Sequence, residues 1–258
     1  MTRSFARHAS SVIVVVCAVW AWQQATRHST SLYMRSPTEI ADALAALIID
    51  HRLLTDHVWP SAWRMSRGLL LASGVGIAAG LLLGRVAWLR PWCAPLLNTA
   101  RAVPPPALIG VLFVSFGPGD GPKVFLVFLG ALFPILFNAM DGAASVDPAQ
   151  LDVADALHLR RRDRIVRIVL PAAAPRILAG LRTSAAIALV VVVTSEVTGS
   201  VNGLGRVLVD AQQTFRWQDV WAVLVVLAAL GVILSSAVTL LERRLLRWQA
   251  VERNKRRA

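Results

Sequence analysis

The sequence is dominated by apolar runs approaching 20 residues that carry almost no charge and are separated by short segments rich in arginine. Hydrocarbon offers no hydrogen-bond partner, so a chain crossing it must pair its own N–H and C=O groups, and a helix of about 20 apolar residues does this while matching the bilayer core. Six runs qualify, near 10–24, 68–88, 104–116 with some upstream extension, 123–140, 177–194 and 221–241. The first and third are short, so they either tilt little or borrow flanking residues. The expected fold is therefore all-α: one polytopic integral membrane domain, 1–258, with about six transmembrane helices.

Composition supports this, because 56% hydrophobic and 16% charged residues, with a mean hydropathy of +0.58, leave too little polar surface for a soluble domain. The net charge of +12 would suit nucleic acid, yet the arginines lie between apolar runs and build no basic face on a polar domain. They read instead as topology: with both termini inside, the cytoplasmic segments hold most of the basic residues. Trp20, Trp22, Trp59, Trp63, Trp88, Trp92, Trp217, Trp221 and Trp248 fall at or just beyond span ends, where an indole meets the headgroups. Arg3 and Arg7 before an apolar run also fit a signal peptide. No small-residue cleavage site follows, however, and Val16 precedes Cys17, so an uncleaved first span is expected.

Most chemistry is excluded by what is missing. Lys123 and Lys255 are the two lysines, followed by Val124 and Arg256, so neither sits in a phosphate-binding loop. If ATP drives this chain, another subunit hydrolyses it. Cys17, Cys93 and the scattered His8, His28, His51, His57 and His158 form no metal pattern, and no cofactor is expected. Two other classes stay open as alternatives. An intramembrane enzyme needs clustered catalytic groups, and a proton-coupled secondary transporter needs a chain of ionisable groups through the spans; the acidic residues here are dispersed.

Three local patterns stand out. Ser36-Pro37-Thr38-Glu39 is a capping box before Ile40, Ala43, Leu44, Leu47 and Ile48, predicting an amphipathic helix on the outer face within 36–67. Gly76, Gly80 and Gly84 share one face of the second span and invite close helix approach, within the subunit or across a dimer. Asp147-Pro148-Ala149-Gln150 reads as a second capping box, with Gln150 reaching back, starting a short helix that runs to about His158. Arg160, Arg161, Arg162, Arg164 and Arg167 follow on a segment whose Ile165, Ile168 and Val169 form an apolar stripe ending at Leu170-Pro171. Two short helices meeting near His158 would present Ala154 and Ala156 beside charges, a surface suited to a docked partner.

Leu151-Asp152-Val153-Ala154-Asp155-Ala156-Leu157-His158, then Ile165 and Leu170-Pro171, resemble the EAA loop of ABC importer permeases. Further matches run from Arg101-Ala102-Val103-Pro104-Pro105-Pro106-Ala107-Leu108-Ile109 through Phe116-Gly117-Pro118-Gly119, Lys123 and Phe133-Pro134 to Ser195-Glu196-Val197-Thr198. With Gly203-Leu204-Gly205 and Ala211-Gln212-Gln213, they are similar to the subgroup that imports nitrate, taurine and alkanesulfonates. The resemblance implies a permease subunit of the bacterial inner membrane, without enzymatic activity of its own. Its implied partners are a separate ABC ATPase, an extracytoplasmic solute-binding protein and a second copy of the chain. It implies spans at 68–142 and 177–241 flanking a cytoplasmic coupling loop at 143–176, between spans four and five, with an N-terminal span and flank at 1–35 and a basic tail at 242–258. Within that loop, Asp152, Ala154, Asp155, Ala156, Leu157, His158, Leu170 and Pro171 would carry the ATPase contact. The family usually has Gly where His158 stands; histidine is among the few other residues enriched at positive φ. An anion is the expected solute, with a vitamin or pyrimidine precursor as the alternative. Arg101, Glu196 and Thr198 are candidates for the translocation path. Arg101 reads equally as a snorkelling or paired side chain, and Glu196 as a cap on the segment that follows it.

Overall fold

The computed structural model describes residues 2–27, 31, 33–49 and 52–247, with 2–12 described by backbone alone. His28, His51, Trp248, Lys255 and the rest of the tail from 248 to 258 lie outside the described residues, as does the side chain of His8. The described elements are all helical: α1 (Thr2–Thr26), α2 (Pro37–Ile49), α3 (Trp59–Arg85), α4 (Leu89–Ala100), α5 (Ile109–Phe116), α6 (Asp120–Ala144), α7 (Pro148–Ala156), α8 (Arg161–Arg164), α9 (Leu170–Val197), α10 (Leu204–Gln213) and α11 (Trp217–Leu245). Among the described residues, four continuous helical stretches are long and apolar enough to cross a bilayer: Leu54–Arg85, Asp120–Ala144, Arg161–Val197 and Trp217–Leu245. In α1 the stretch whose side chains are described, Ile13–Thr26, is apolar.

The third expected span is not one helix. It is a pair, Leu89–Ala100 and Pro105–Phe116, bent by 71°, which makes a fifth crossing if counted as one. Pro104, Pro105 and Pro106 explain the break, since none of them has an N–H to continue a helical ladder. Pro104 is extended (ψ 121°) and a short 3₁₀ turn, Pro105–Leu108, restarts the helix.

Helices α3, α6 and α9 form the packed centre, and glycine brings them together. Gly76 lies against Ile135 and Leu132 of α6, Gly80 against Ala139 and Leu136, and Gly84 against Met140 and Ala143. Gly68, two further steps along the same face, abuts Val124 and Val127, and the buried Ala72 between completes a stripe of small residues four apart. A Cβ on Gly84 would come within 2.3 Å of the Met140 carbonyl oxygen, so only a bare backbone fits there. These pairings make α3 and α6 parallel. Helix α9 runs the other way, Ala173 meeting Gly142 near its start and Val191 meeting Gly130 near its end.

Two prolines that would ordinarily break a helix are absorbed instead. Leu54–Val58 and Ile165–Val169 are π-turns that lead directly into Trp59-Pro60 and Leu170-Pro171. A proline leaves the carbonyl four residues back unpaired and crowds it with the ring; a widened turn accommodates both. The helix expected from 177 therefore begins at Arg161 and runs to Val197. This shortens the irregular part of the 143–176 segment.

The capping box at Ser36 is formed. The Ser36 N–H donates to Glu39 Oε2 at 2.8 Å and the Glu39 N–H donates to Ser36 Oγ at 3.3 Å. Bonds from the Ser36 N–H and hydroxyl, with Arg35 beside them, hold the Glu39 carboxyl below its ordinary value. Ile40, Ala43 and Leu47 are buried against Leu204, Ala222 and Val223, whereas Ile48 is exposed. Helix α1 leaves Ile13, Val14, Val15 and Val16 exposed and meets the bundle near its end, where Trp22 packs on Trp221 and Gln23 bonds Thr38.

Candidate functional site

At the end of the bundle where α3 and α6 finish, α7 and α8 form a corner. The Asp147 side chain accepts from the Ala149 N–H at 2.9 Å and Pro148 takes the first helical position, so α7 starts as its sequence dictates. Gln150 contributes its backbone N–H to the Asp147 carbonyl. Helix α7 ends in a Schellman turn: the His158 N–H donates to the Asp155 carbonyl and the Leu159 N–H to the Ala154 carbonyl, both at 3.0 Å, with His158 at φ +49°. The imidazole-bearing residue thus occupies the position where helices most often place glycine, at a cost of about 1 kcal/mol. Arg164 Nη1 donates to Asp155 Oδ1 at 2.6 Å and ties the second arm of the corner to the first.

The corner presents Asp152, Val153, Asp155, Ala156, Leu157 and His158, all exposed. Ala154 is a correction: at 1% exposure it is a packing residue, not part of the presented surface. It lies on the inward face with Leu151, which packs on Val146 and Val169. Leu170 and Pro171 lie away from this tip, at the start of α9 beside an apolar cavity of about 560 Å³. Val153 and Leu157, four residues apart, instead make an exposed apolar pair amid charge. Their spacing was legible in the sequence, but which face of α7 turns outward was not.

The opposite end holds a buried polar cluster, of which the sequence singled out Glu196 but not its partners Arg64 and Ser61. Arg64, 2% exposed, donates to Glu196 at 2.7 Å and to Asp120 at 2.7 Å, and to the Asn202 side chain and carbonyl. Ser61 Oγ lies within 2.9 Å of both Glu196 oxygens and accepts from the Leu204 N–H, and the Gly205 N–H donates to Glu196 Oε2. Lys123 is buried beside them, against Phe113 and the Pro118 carbonyl. Glu196 is fully buried with both oxygens engaged, so it offers no free group to a solute; it joins the end of α9 to α3 and to the turn into α10. Gly203, at φ +110°, lets that turn approach, because a Cβ there would meet the carboxylate at 2.4 Å. The available signal was Ser61, Arg64 and Gly68 on one helical face leading into the apolar run at 68–88. Thr198 is exposed and its hydroxyl donates to the Thr194 carbonyl at 3.2 Å.

Arg101 stands apart from both groups. It caps the C-terminus of α4 at the break before Pro104, exposed, with its guanidinium 5.0 Å from the centre of the Phe137 ring. A cavity of about 440 Å³ opens there between the break, α6 and α9.

The sequence matches the family described as binding-protein-dependent transport system inner membrane component over residues 72–247. SsuC of Bacillus subtilis, named for aliphatic sulfonates transport, is 32% identical over 235 residues, 91% of this chain and 85% of that protein. The taurine transport system permease protein TauC of Escherichia coli is 27% identical over 241 residues, 92% of this chain and 87% of its own length. The bicarbonate transport system permease protein CmpB of Synechococcus elongatus is 29% identical over 188 residues, 72% of this chain and 68% of its own. A chain of the MetNI methionine ABC transporter, in an inward-facing form, has the same fold: TM-score 0.61 at 17% identity, over 73% of this chain and 94% of that one. With spanning helices, a capped corner at one bundle end and this match over most of its length, the chain belongs to the binding-protein-dependent inner membrane components and is a multi-pass permease subunit of an ABC importer.

Proposed function

We propose that this permease lies in the bacterial inner membrane with the α7 end in the cytoplasm, and that the α7–α8 corner is where a separate ABC ATPase docks. The observation that carries the reading is the exposed Val153–Leu157 pair on a short helix pinned at both ends, by the Asp147 cap and by the Schellman turn with its Asp155–Arg164 ion pair. A rigid apolar knob of this kind transmits a push, whereas a floppy loop would absorb it. The charge pattern supports the same orientation, since Arg85, Arg90, Arg160, Arg161, Arg162 and Arg176 gather at that end. Two copies of the chain would enclose the path, with a solute-binding protein delivering at the α10 end. The relatives named for sulfonates, taurine and bicarbonate make a small anion the favoured solute.

The test is co-purification of the tagged chain with its ATPase from detergent. Leu157→Asp and Ala156→Arg change the tip without removing the Asp155–Arg164 ion pair. Each is expected to lower ATPase recovery at least tenfold while the permease still elutes as a folded species. Full retention by both variants contradicts docking at this corner.

A further inference from the structure

The break between α4 and α5 poses a physical problem that the packed helices do not. Residues 101–104 are non-helical or capping and all are exposed, although they sit beside Phe137 and Asn138, about 10 Å along α6 from its end at Ala144. Irregular backbone at membrane depth persists only where it is buried in protein or lines water. This backbone is not buried in the chain, and the three prolines that follow reduce the N–H groups left wanting partners but not the carbonyls. The second oddity is Arg101 itself. Among the described residues its guanidinium makes no hydrogen bond or ion pair, as holds for Arg67, Arg160, Arg161 and Arg162 too; what sets it apart is where it lies. Instead it lies over Phe137 and faces a cavity of about 440 Å³ whose remaining wall includes Val103, Pro105, Phe133 and Asn138. A cation with no protein partner is stable where water or an anion reaches it.

We propose that the α4–α5 break and Arg101 line a water-filled vestibule that concentrates small anions, so that Arg101 is a specificity-determining residue for an anionic solute. The proposal rests on the permease reading and deepens it. The Phe137 ring holds the guanidinium through its face and leaves the N–H edge for an oxyanion such as a sulfonate or carboxylate. The C-terminal carbonyls of α4 favour the cation at that corner. The apolar walls exclude competing counter-charges from the protein, since among the described residues no carboxylate lines the cavity.

The experiment reads local electrostatics and needs no knowledge of the solute. In a Cys17→Ser, Cys93→Ser background, Asn138→Cys in reconstituted permease is reacted with methanethiosulfonate ethylsulfonate, an anion, and with its trimethylammonium counterpart, a cation. Val103→Cys serves as a second reporter should the first variant fold poorly. Both reagents are expected to react, with the anion favoured. Arg101→Gln should lower the anion-to-cation rate ratio about tenfold, the product of a roughly threefold effect on each sign from a unit charge about 6 Å away in a water-like medium. An unchanged ratio overturns the proposal. So does failure of both charged reagents where membrane-permeant N-ethylmaleimide reacts, which would mean that lipid or a partner fills the cavity. Failure of the unsubstituted permease to retain its ATPase, with the ratio intact, would sink the docking reading separately.

Discussion

Glu196 and Arg64 illustrate how a single residue can be conspicuous in a sequence for one reason and matter for another. An acid near the end of an apolar run suggests a path or a gate, but its carboxylate is enclosed by Arg64, Ser61 and the Gly205 N–H. Removing it leaves an arginine buried with only Asp120 and Asn202 as partners. Glu196→Ala is therefore expected to destabilise the solubilised protein by about 3 kcal/mol, at the low end of the usual range because those partners remain. A thermal unfolding scan reads this as a lower midpoint; an unshifted midpoint would show that the cluster contributes nothing. His158 makes the complementary point. Its positive φ follows from the turn, and histidine there was legible as a substitute for glycine, but the two backbone bonds that define the turn become visible only once α7 has its ends.

Elements repeat this contrast. The glycine face of α3 was readable from spacing alone, whereas its partner was not, since the same spacing serves packing within a subunit or between two. Within this chain the face lies on α6, and the contact is tight enough to predict its failure. Gly84→Ala places a Cβ against the Met140 carbonyl and should cost about 1–3 kcal/mol as the helices are forced apart. Gly74→Ala, with nothing within 4 Å, should be neutral or stabilising by up to about 1 kcal/mol. Paired melting curves check both, and equal shifts would contradict the packing argument. The π-turns before Pro60 and Pro171 are the feature least available to periodicity. An apolar stripe followed by Leu-Pro looks like a helix end, yet widening one turn lets the helix continue, so a connecting segment becomes the first turns of a long helix.

For the whole molecule the decisive quantity is which end faces the cytoplasm. In intact spheroplasts a cysteine replacing Ala156 should resist a membrane-impermeant maleimide, and in inverted vesicles it should label. One replacing Arg216, between α10 and α11, should do the reverse. Matching behaviour at the two positions would overturn the orientation. What the sequence by itself determined is the class of the molecule: uncharged runs of this length admit only helices in a bilayer, while arginine placement and the want of a phosphate-binding loop raise the expectations of cytoplasmic ends and a separate ATPase. Each of those rests on chemistry that acts along the chain. What only the tertiary structure decided depends on residues far apart meeting: that Arg64 is held by Glu196 and Asn202, that Ala154 turns inward while Val153 and Leu157 turn out, and that the third run breaks beside Phe137 and leaves Arg101 facing a cavity. The physical reason is common to all three. Burial and charge pairing are properties of neighbours in space, and helical periodicity says which residues share a face but not what that face meets.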